Sequence, residues 1–385
     1  MMTQEKENKM SSSTEHATKT VAVIGAGIIG ISSAVHLLRR GQQVTLFTEA
    51  ELVSGASGRS LSWLNSAADR TREYHALRMA GIDRYRTLFA QDSSRDWLRF
   101  DGGLYWGEDK AAETLARHAY EFAHGYDSHL TGLASVSQID PQVRAEAVAE
   151  SALFNPGEGW VSLPHLANYL MAEFHRLGGQ LYEYAGKTSV ITDASGKAVG
   201  VKTGNGETFS ADRVLVACGP QTPEVVAPLG ITIPNGSPLS MLVITQPVEN
   251  SVKVVLNTPR VAVRPNPGKT LALDHDWYES AITRSAAGEY SIPETVVDEL
   301  VAEAAKVLEG AESLKAASWK IGLKPVPGDG EPVLGELQSV PGCYVAFTHS
   351  GATLALIVGE LLASEIASGE KHPMLATFRP ERFTA

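Results

Sequence analysis

Three glycines with a particular spacing carry the first chemical signal in this chain. Gly25, Gly27 and Gly30 stand in "VIGAGIIG", after an apolar run and ahead of a helix-forming one. In that spacing the first glycine permits a tight turn, the second lets backbone approach a pyrophosphate, and the third lets helix pack closely on strand. A helix beginning near Ile28 would turn free N–H groups and a positive dipole end toward phosphates. The segment therefore predicts a dinucleotide site. A ribose-binding acid is expected at the end of the next strand, where Thr48 stands, followed by Glu49. Loss of that acid often accompanies an arginine that receives a 2′-phosphate. Thr48-Glu49-Ala50-Glu51 offers no cation, so NADP is disfavoured and Thr48 or Glu49 is left to meet the ribose.

A second loop, "SGASGRSLSWLN" from Ser54 to Asn65, is small, hydroxyl-rich and centred on Arg59, and is suited to running along an extended cofactor. It approaches the G-x-S-x-G pattern of serine hydrolases, but Arg59 takes the final glycine position and no strand precedes Ser57. His124 and His129 lack the company a metal needs, so no metal site is expected. His36, on the first helix, reads as structural, and Cys218 as a small core residue.

These residues need elements to position them. Apolar periodicity predicts a strand at 20–24, a helix at 28–40 capped by Gly41, and a strand at 43–47, which together form a βαβ unit. Ser195-Gly196 and Asn205-Gly206 predict hairpin turns ahead of a buried strand at 214–217. From 231 to 273 the pattern is all strand with proline punctuation, followed by one helix near 293–308. The last segment returns to strand, turn and helix, ending near Ser368. The fold class is α/β, with a Rossmann-like domain built from discontinuous segments and an α+β second domain around an antiparallel sheet. The expected division is a leader at 1–19, cofactor-domain pieces at 20–105, 155–222 and 319–385, and substrate-domain pieces at 106–154 and 223–318.

Composition narrows the function classes. A chain of 385 residues exceeds what one core usually organises. A net charge of -11 disfavours nucleic acid or an anionic membrane as partner. Two cysteines, Cys218 and Cys343, are too few for a disulfide framework and fit a reducing cytoplasm. The polar, mixed-charge start is unlike a signal peptide, and no apolar run approaches the roughly 20 residues of a membrane helix.

The glycine fingerprint, "GASGRS", "GWVSLPHL", "VLVACGP", "GLKPVPGDGEPVLG" and "THSGATLAL", in this order, together resemble the FAD-dependent D-amino-acid oxidase superfamily. The nearer likeness is to its glycine oxidase, sarcosine oxidase and D-amino-acid dehydrogenase branch, and it covers nearly all the chain after the leader. The resemblance implies FAD. Gly25, Gly27, Ile28 and Gly30 would serve its pyrophosphate, Thr48 and Glu49 its ribose, Val190 its adenine and Gly219 its middle. Ser57, Gly58, Arg59 and Ser60 would run beside the ribityl chain and flavin. Gly322 and the turn at His349, Ser350, Gly351, Ala352 and Thr353 would also face the cofactor, with the positive end of the last helix stabilising charge on the reduced flavin. No cysteine lies in "GLKPVPGDGEPVLG", where sarcosine oxidases carry their flavin link, so FAD is expected to be non-covalent.

The family often sets an arginine before the proline of G-x-R-P to grip a substrate carboxylate. Here Lys324 takes that place and forgoes the bidentate fork. Arg264 and Arg59 are the other cationic candidates, Tyr278 and His275 candidate pocket walls, and His349 and Arg59 the candidate catalytic groups. The implied activity is oxidation of a C–N bond beside a carboxylate in an amino-acid-like substrate, with hydride passing to flavin N5 and the imine hydrolysing. Electrons would go to oxygen, giving peroxide, or to a partner protein or quinone as in dehydrogenase complexes. A non-catalytic FAD-bearing scaffold subunit is the third reading.

Overall fold

The computed structural model describes residues 18–108, 111–148 and 150–383. Two large sheets organise it. The first has six strands in the order Val333–Glu336, Cys343–Phe347, Arg213–Val216, Thr20–Ile24, Gln43–Phe47 and Gln180–Tyr182. All neighbours run parallel except the Val333–Glu336 edge. Its central strands are buried on both faces, which explains why they read as continuous apolar runs. They come from the start, middle and end of the sequence, so the nucleotide-type layer is discontinuous, as the returning strand-turn-helix grammar implied.

Helices Ile28–Arg39, Arg72–Gln91, Leu163–Arg176 and Gly351–Ser368 share one core with this sheet. The first and last of them touch over their length, because Gly359 leaves room for Ser32. The last helix is 18 residues long and apolar enough by composition to cross a membrane, yet 78% of it is buried within the fold. It has the length and hydropathy that the sequence reading did not expect of any segment, and it is a core helix.

The second sheet has eight strands, in the order Ala316–Leu323, Leu239–Thr245, Thr270–Asp274, Ala262–Asn266, Val255–Asn257, Gly103–Tyr105, Ala152–Asn155 and His129–Thr131. It is antiparallel apart from one parallel pair, Val255–Asn257 with Gly103–Tyr105. The helix Glu294–Val307 covers one face through Val297, Leu300, Val301 and Ala304. Strand pairing moves the expected division. Gly103–Tyr105 and Ala316–Leu323 both belong to the large sheet, so the boundaries placed at 105 and 318 fall at about 102 and 323. Asn155 likewise pairs with Gly103 inside that sheet. Residues 1–17 of the expected leader lie outside the described residues. Lys19 is part of the fold, its Nζ donating to the carbonyls of Ile366 and Ala367 at 3.2 and 2.8 Å.

Candidate active site

A continuous cavity of about 580 Å³ runs from the carboxyl ends of the parallel strands to the end of the large sheet. At one end it begins where the Thr20–Ile24 strand turns at Gly25, whose φ of +105° belongs to glycine, and whose N–H donates to the Phe47 carbonyl at 2.8 Å. Gly27 caps the first helix, and the Ile28 N–H donates to Ser57 Oγ at 3.0 Å. Thr48, Glu49, Lys187, Thr188 and Ser189 wall the outer end; Ala217, Cys218 and Gly219 wall the middle. Burial, with the Glu49 charge, pushes the Cys218 thiol up to about 12, away from the thiolate form.

At the inner end the cavity meets the two ends that make the site. One is the close of the Ala316–Leu323 strand. Arg59 Nη2 donates to the Leu323 carbonyl at 3.0 Å and its Nη1 to the Ser54 carbonyl at 3.4 Å, with the guanidinium flat against Gly322, where a side chain would collide with it. Arg59 thus ties the hydroxyl-rich loop to the sheet. Just beyond, Lys324 Nζ lies 3.7 Å from Asp274 Oδ2. The Tyr278 hydroxyl bonds Asp274 Oδ1 at 2.6 Å and accepts from the Met241 N–H at 3.2 Å, and Ser240 Oγ donates to Asp274 Oδ1 at 3.3 Å.

The other end is the start of the last helix. Ser350 caps it in the left-handed region at φ 59°, a conformation uncommon outside glycine. The second helix holds this turn with one face. Tyr74 and Tyr85 donate to the carbonyls of His349 and Ala352 at 3.3 and 2.6 Å, Arg78 donates to Ser350 Oγ, and Gly81 lets the Thr353 carbonyl come close. Arg78 is 2% exposed and also donates to the Asn65 carbonyl and to Asn65 Oδ1, at 2.6 and 2.9 Å from Nη2. Enclosure and the neighbouring Lys324, Arg78 and Arg70 push His349 down to about 3. The imidazole is therefore neutral at physiological pH and offers hydrogen bonds, with too little basicity for general base work.

The cavity brings together Gly25, Gly27, Ile28, Thr48, Glu49, Ser57, Arg59, Ser60, Gly219, Gly322, Lys324, His349, Ser350, Gly351 and Ala352. Seven expected residues stand elsewhere. Gly30 presses against the Gly25 carbonyl and Gly58 against that of Val53, so both are packing glycines. Val190 pairs with Val201 and packs into the core behind the sheet, because strand alternation turns it away; Lys187, Thr188 and Ser189 form the wall instead. Thr353 is buried and donates to the Trp63 carbonyl at 3.3 Å. Arg264 is 3% exposed, stacked 5.1 Å from the Trp160 ring and bonded to the Pro265 carbonyl and Asn266 Oδ1, so it does not reach the cavity. Tyr278 stands one layer behind Asp274, and His275 points to Asp276 at 2.8 Å, since alternation along the strand end sends neighbours to opposite sides. Sequence reasoning missed Arg70, Arg78, Ser240 and Asp274 as lining residues, and took in Trp63 and Asn65 only as part of the Ser54–Asn65 loop. Arg78 left a signal, a cation seated in the buried stripe Tyr74, Leu77, Gly81 and Tyr85.

A Gly-turn-helix cradle, a groove along parallel strand ends and a cationic inner chamber define a flavin-dependent oxidoreductase of the two-domain type. The cradle fits FAD on this chain's own geometry, because Gly25 adopts a backbone only glycine favours and the start of the first helix opens onto the cavity, with Ser57 Oγ as the side-chain atom that meets it. Residues 20–365 match the family model described as FAD dependent oxidoreductase, and the chain belongs to that family. The glycine oxidase of Geobacillus kaustophilus (strain HTA426) is 27% identical over 374 residues, spanning 93% of this chain and 95% of that one. The D-amino acid dehydrogenase of Methylobacterium nodulans is 24% identical, covering 90% and 94%. In structure, the Geobacillus kaustophilus glycine oxidase superposes with a TM-score of 0.79 at 22% identity over 95% of this chain and 99% of that one, which shows the shared fold. The protein is an FAD-dependent oxidoreductase.

Proposed function

We propose that the enzyme oxidises the C–N bond of an amino acid or N-substituted amino acid, with Lys324 holding the substrate carboxylate. The observation that carries this reading is Lys324 itself, a half-buried cation at the inner end of the cavity whose only carboxylate partner among the described residues is Asp274, at 3.7 Å. FAD, held non-covalently at the Gly25–Ile28 turn and along the cavity, would supply a two-electron acceptor for the α-hydrogen. The chain supplies orientation. Lys324 fixes the carboxylate, Asp274 fixes Lys324, and neutral His349 adds no charge that would repel or protonate the amine. Arg59 holds the hydroxyl-rich loop against the sheet at the cavity, and Trp63 forms part of the cavity wall. The released imine hydrolyses to an oxo acid or aldehyde in solution. Oxygen then receives the electrons and leaves as hydrogen peroxide. The likeness to a D-amino acid dehydrogenase supports a second reading, transfer to a partner protein or quinone; absence of oxygen uptake by the purified enzyme would decide for it.

Anaerobic mixing with D-, L- and N-alkyl amino acids tests the proposal. Bleaching of the flavin is the expected result, and a flavin that no amine reduces would leave only a scaffold role. Lys324→Met is expected to raise KM by about tenfold to a hundredfold with kcat little changed, the loss of one charge-assisted contact. An unchanged KM would remove Lys324 from the carboxylate site.

A further inference from the structure

The inner chamber holds more positive charge than one carboxylate needs. Lys324, Arg78, Arg70 and Arg59 line it, and Asp274 is the one acid among the described lining residues at that end. The cations differ in how fully they are engaged. Arg78 donates to Asn65 and Ser350, Arg59 to two carbonyls, and Lys324 has Asp274. Arg70 has no carboxylate within 4 Å among the described residues, and its buried Nε has no hydrogen-bond partner. Its placement is nevertheless fixed. The Tyr120 hydroxyl meets both its backbone N–H, at 3.1 Å, and its carbonyl, and its guanidinium sits 5.5 Å from the centre of the Tyr74 ring. A cation pre-set in this way, walled in beside Arg78 and Arg117 and drawn down to about 10 by burial and their charge, has Glu331 opposing that shift only from beyond ion-pair distance, and its fork is open to a closer anion.

Arg70 and Lys324 both bear on His349, from different elements: Arg70 from the segment before the second helix, Lys324 from the end of the large sheet. One carboxylate on Lys324 leaves the Arg70 fork open. We propose that Arg70 is a specificity-determining residue that takes a second carboxylate, and that the substrate is an amino acid or secondary amine carrying two carboxylates, held across the chamber between Lys324 and Arg70. This rests on the amine-oxidation reading above. Arginine suits the role because its planar fork accepts a carboxylate through two parallel bonds.

The test uses the FAD-loaded enzyme and two unreactive acids that differ by one carboxylate, thiodiacetate and (methylthio)acetate, with binding followed by the change in flavin absorbance and by calorimetry. Thiodiacetate is expected to bind roughly tenfold more tightly or better, the difference of one charge-assisted pair. Arg70→Gln is expected to abolish that preference while leaving the affinity for (methylthio)acetate within about twofold, and Arg70→Lys to keep part of it. Equal affinities in the wild type, failure of either acid to bind, or a preference that survives Arg70→Gln each overturn the proposal. Binding is read without turnover. A flavin that amines fail to bleach, alongside an intact thiodiacetate preference, would therefore count against the oxidation reading and not against the anion site.

Discussion

Gly25→Val is expected to yield a chain that purifies without flavin. The backbone at Gly25 has φ +105°, a region from which β-branched side chains are excluded by their own Cβ substituents. A side chain there would also press into the Ala217 carbonyl, which belongs to the neighbouring parallel strand end and cannot rotate aside. The turn has a further tie, the Gly25 N–H to the Phe47 carbonyl, so relief of the collision must displace the segment that carries Gly27 and the start of the first helix. Backbone strain and overpacking each cost about 1–3 kcal/mol. Together they set the expected loss of FAD affinity at about thirtyfold or more, by the tenfold that each 1.4 kcal/mol represents. Gly132→Ala is the control: that position, away from the cavity, has φ -90° and open space around it, and flavin should be retained. The ratio of flavin to protein absorbance, with a thermal melt of each apoprotein, measures both arms. A fully loaded Gly25→Val enzyme would show that the cradle tolerates a side chain and that the pyrophosphate is bound elsewhere.

That prediction was available from the first thirty residues, and the reason is physical. Gly25, Gly27 and Gly30 act within one turn, on partners fixed by local geometry, so spacing alone announces them. The Thr20–Ile24, Ile28–Arg39 and Gln43–Phe47 elements were legible for the same cause, since their periodicity is unbroken and their ends are marked by glycine. The substrate end was not. Lys324 was visible as a departure from a motif, but its partner Asp274 comes from a strand 50 residues earlier in the chain, and only pairing through the Leu239–Thr245 strand brings the two together. Arg264 misled because an arginine in a strand is ambiguous by one step of register: facing one side it would enter the cavity, and facing the other it stacks on Trp160. Val190 erred by the same alternation. Arg78 was hidden by its setting, an arginine on the core face of a helix, whose purpose becomes apparent only when the start of the last helix arrives beside it.

A buried acid behind the cavity wall gives the second large effect, and it concerns pH. Glu158 is fully buried, accepting from Trp63 Nε1 and from the Tyr126 hydroxyl at 2.7 Å each. Trp63 lines the cavity, and Tyr126 also accepts from the Ser66 N–H at 3.0 Å, so the acid supports the whole 63–66 segment. Burial pushes Glu158 up to about 8 from an ordinary 4.5, against the opposing pull of Arg117, Tyr126 and Trp63, while Glu121 adds to the push. The sign follows from proton counting. Between about 4.5 and 8 the folded chain keeps this proton and the unfolded chain releases it, so stability falls as pH rises through that window. Below it both forms are protonated and the group contributes no slope; above it both are ionised and the loss is complete, on the order of a few kcal/mol. Glu158→Gln keeps the acceptor for Trp63 and cannot ionise. Denaturant unfolding of the two proteins should give similar stabilities near pH 5 and a widening advantage for Glu158→Gln toward pH 9. In that same range the wild type should lose flavin affinity as the Trp63 wall loosens, and the variant should not. Parallel stability curves across the range would mean that Glu158 is already ionised at neutral pH, held so by Arg117, and that the 63–66 wall is supported by an ion pair and not by a protonated acid.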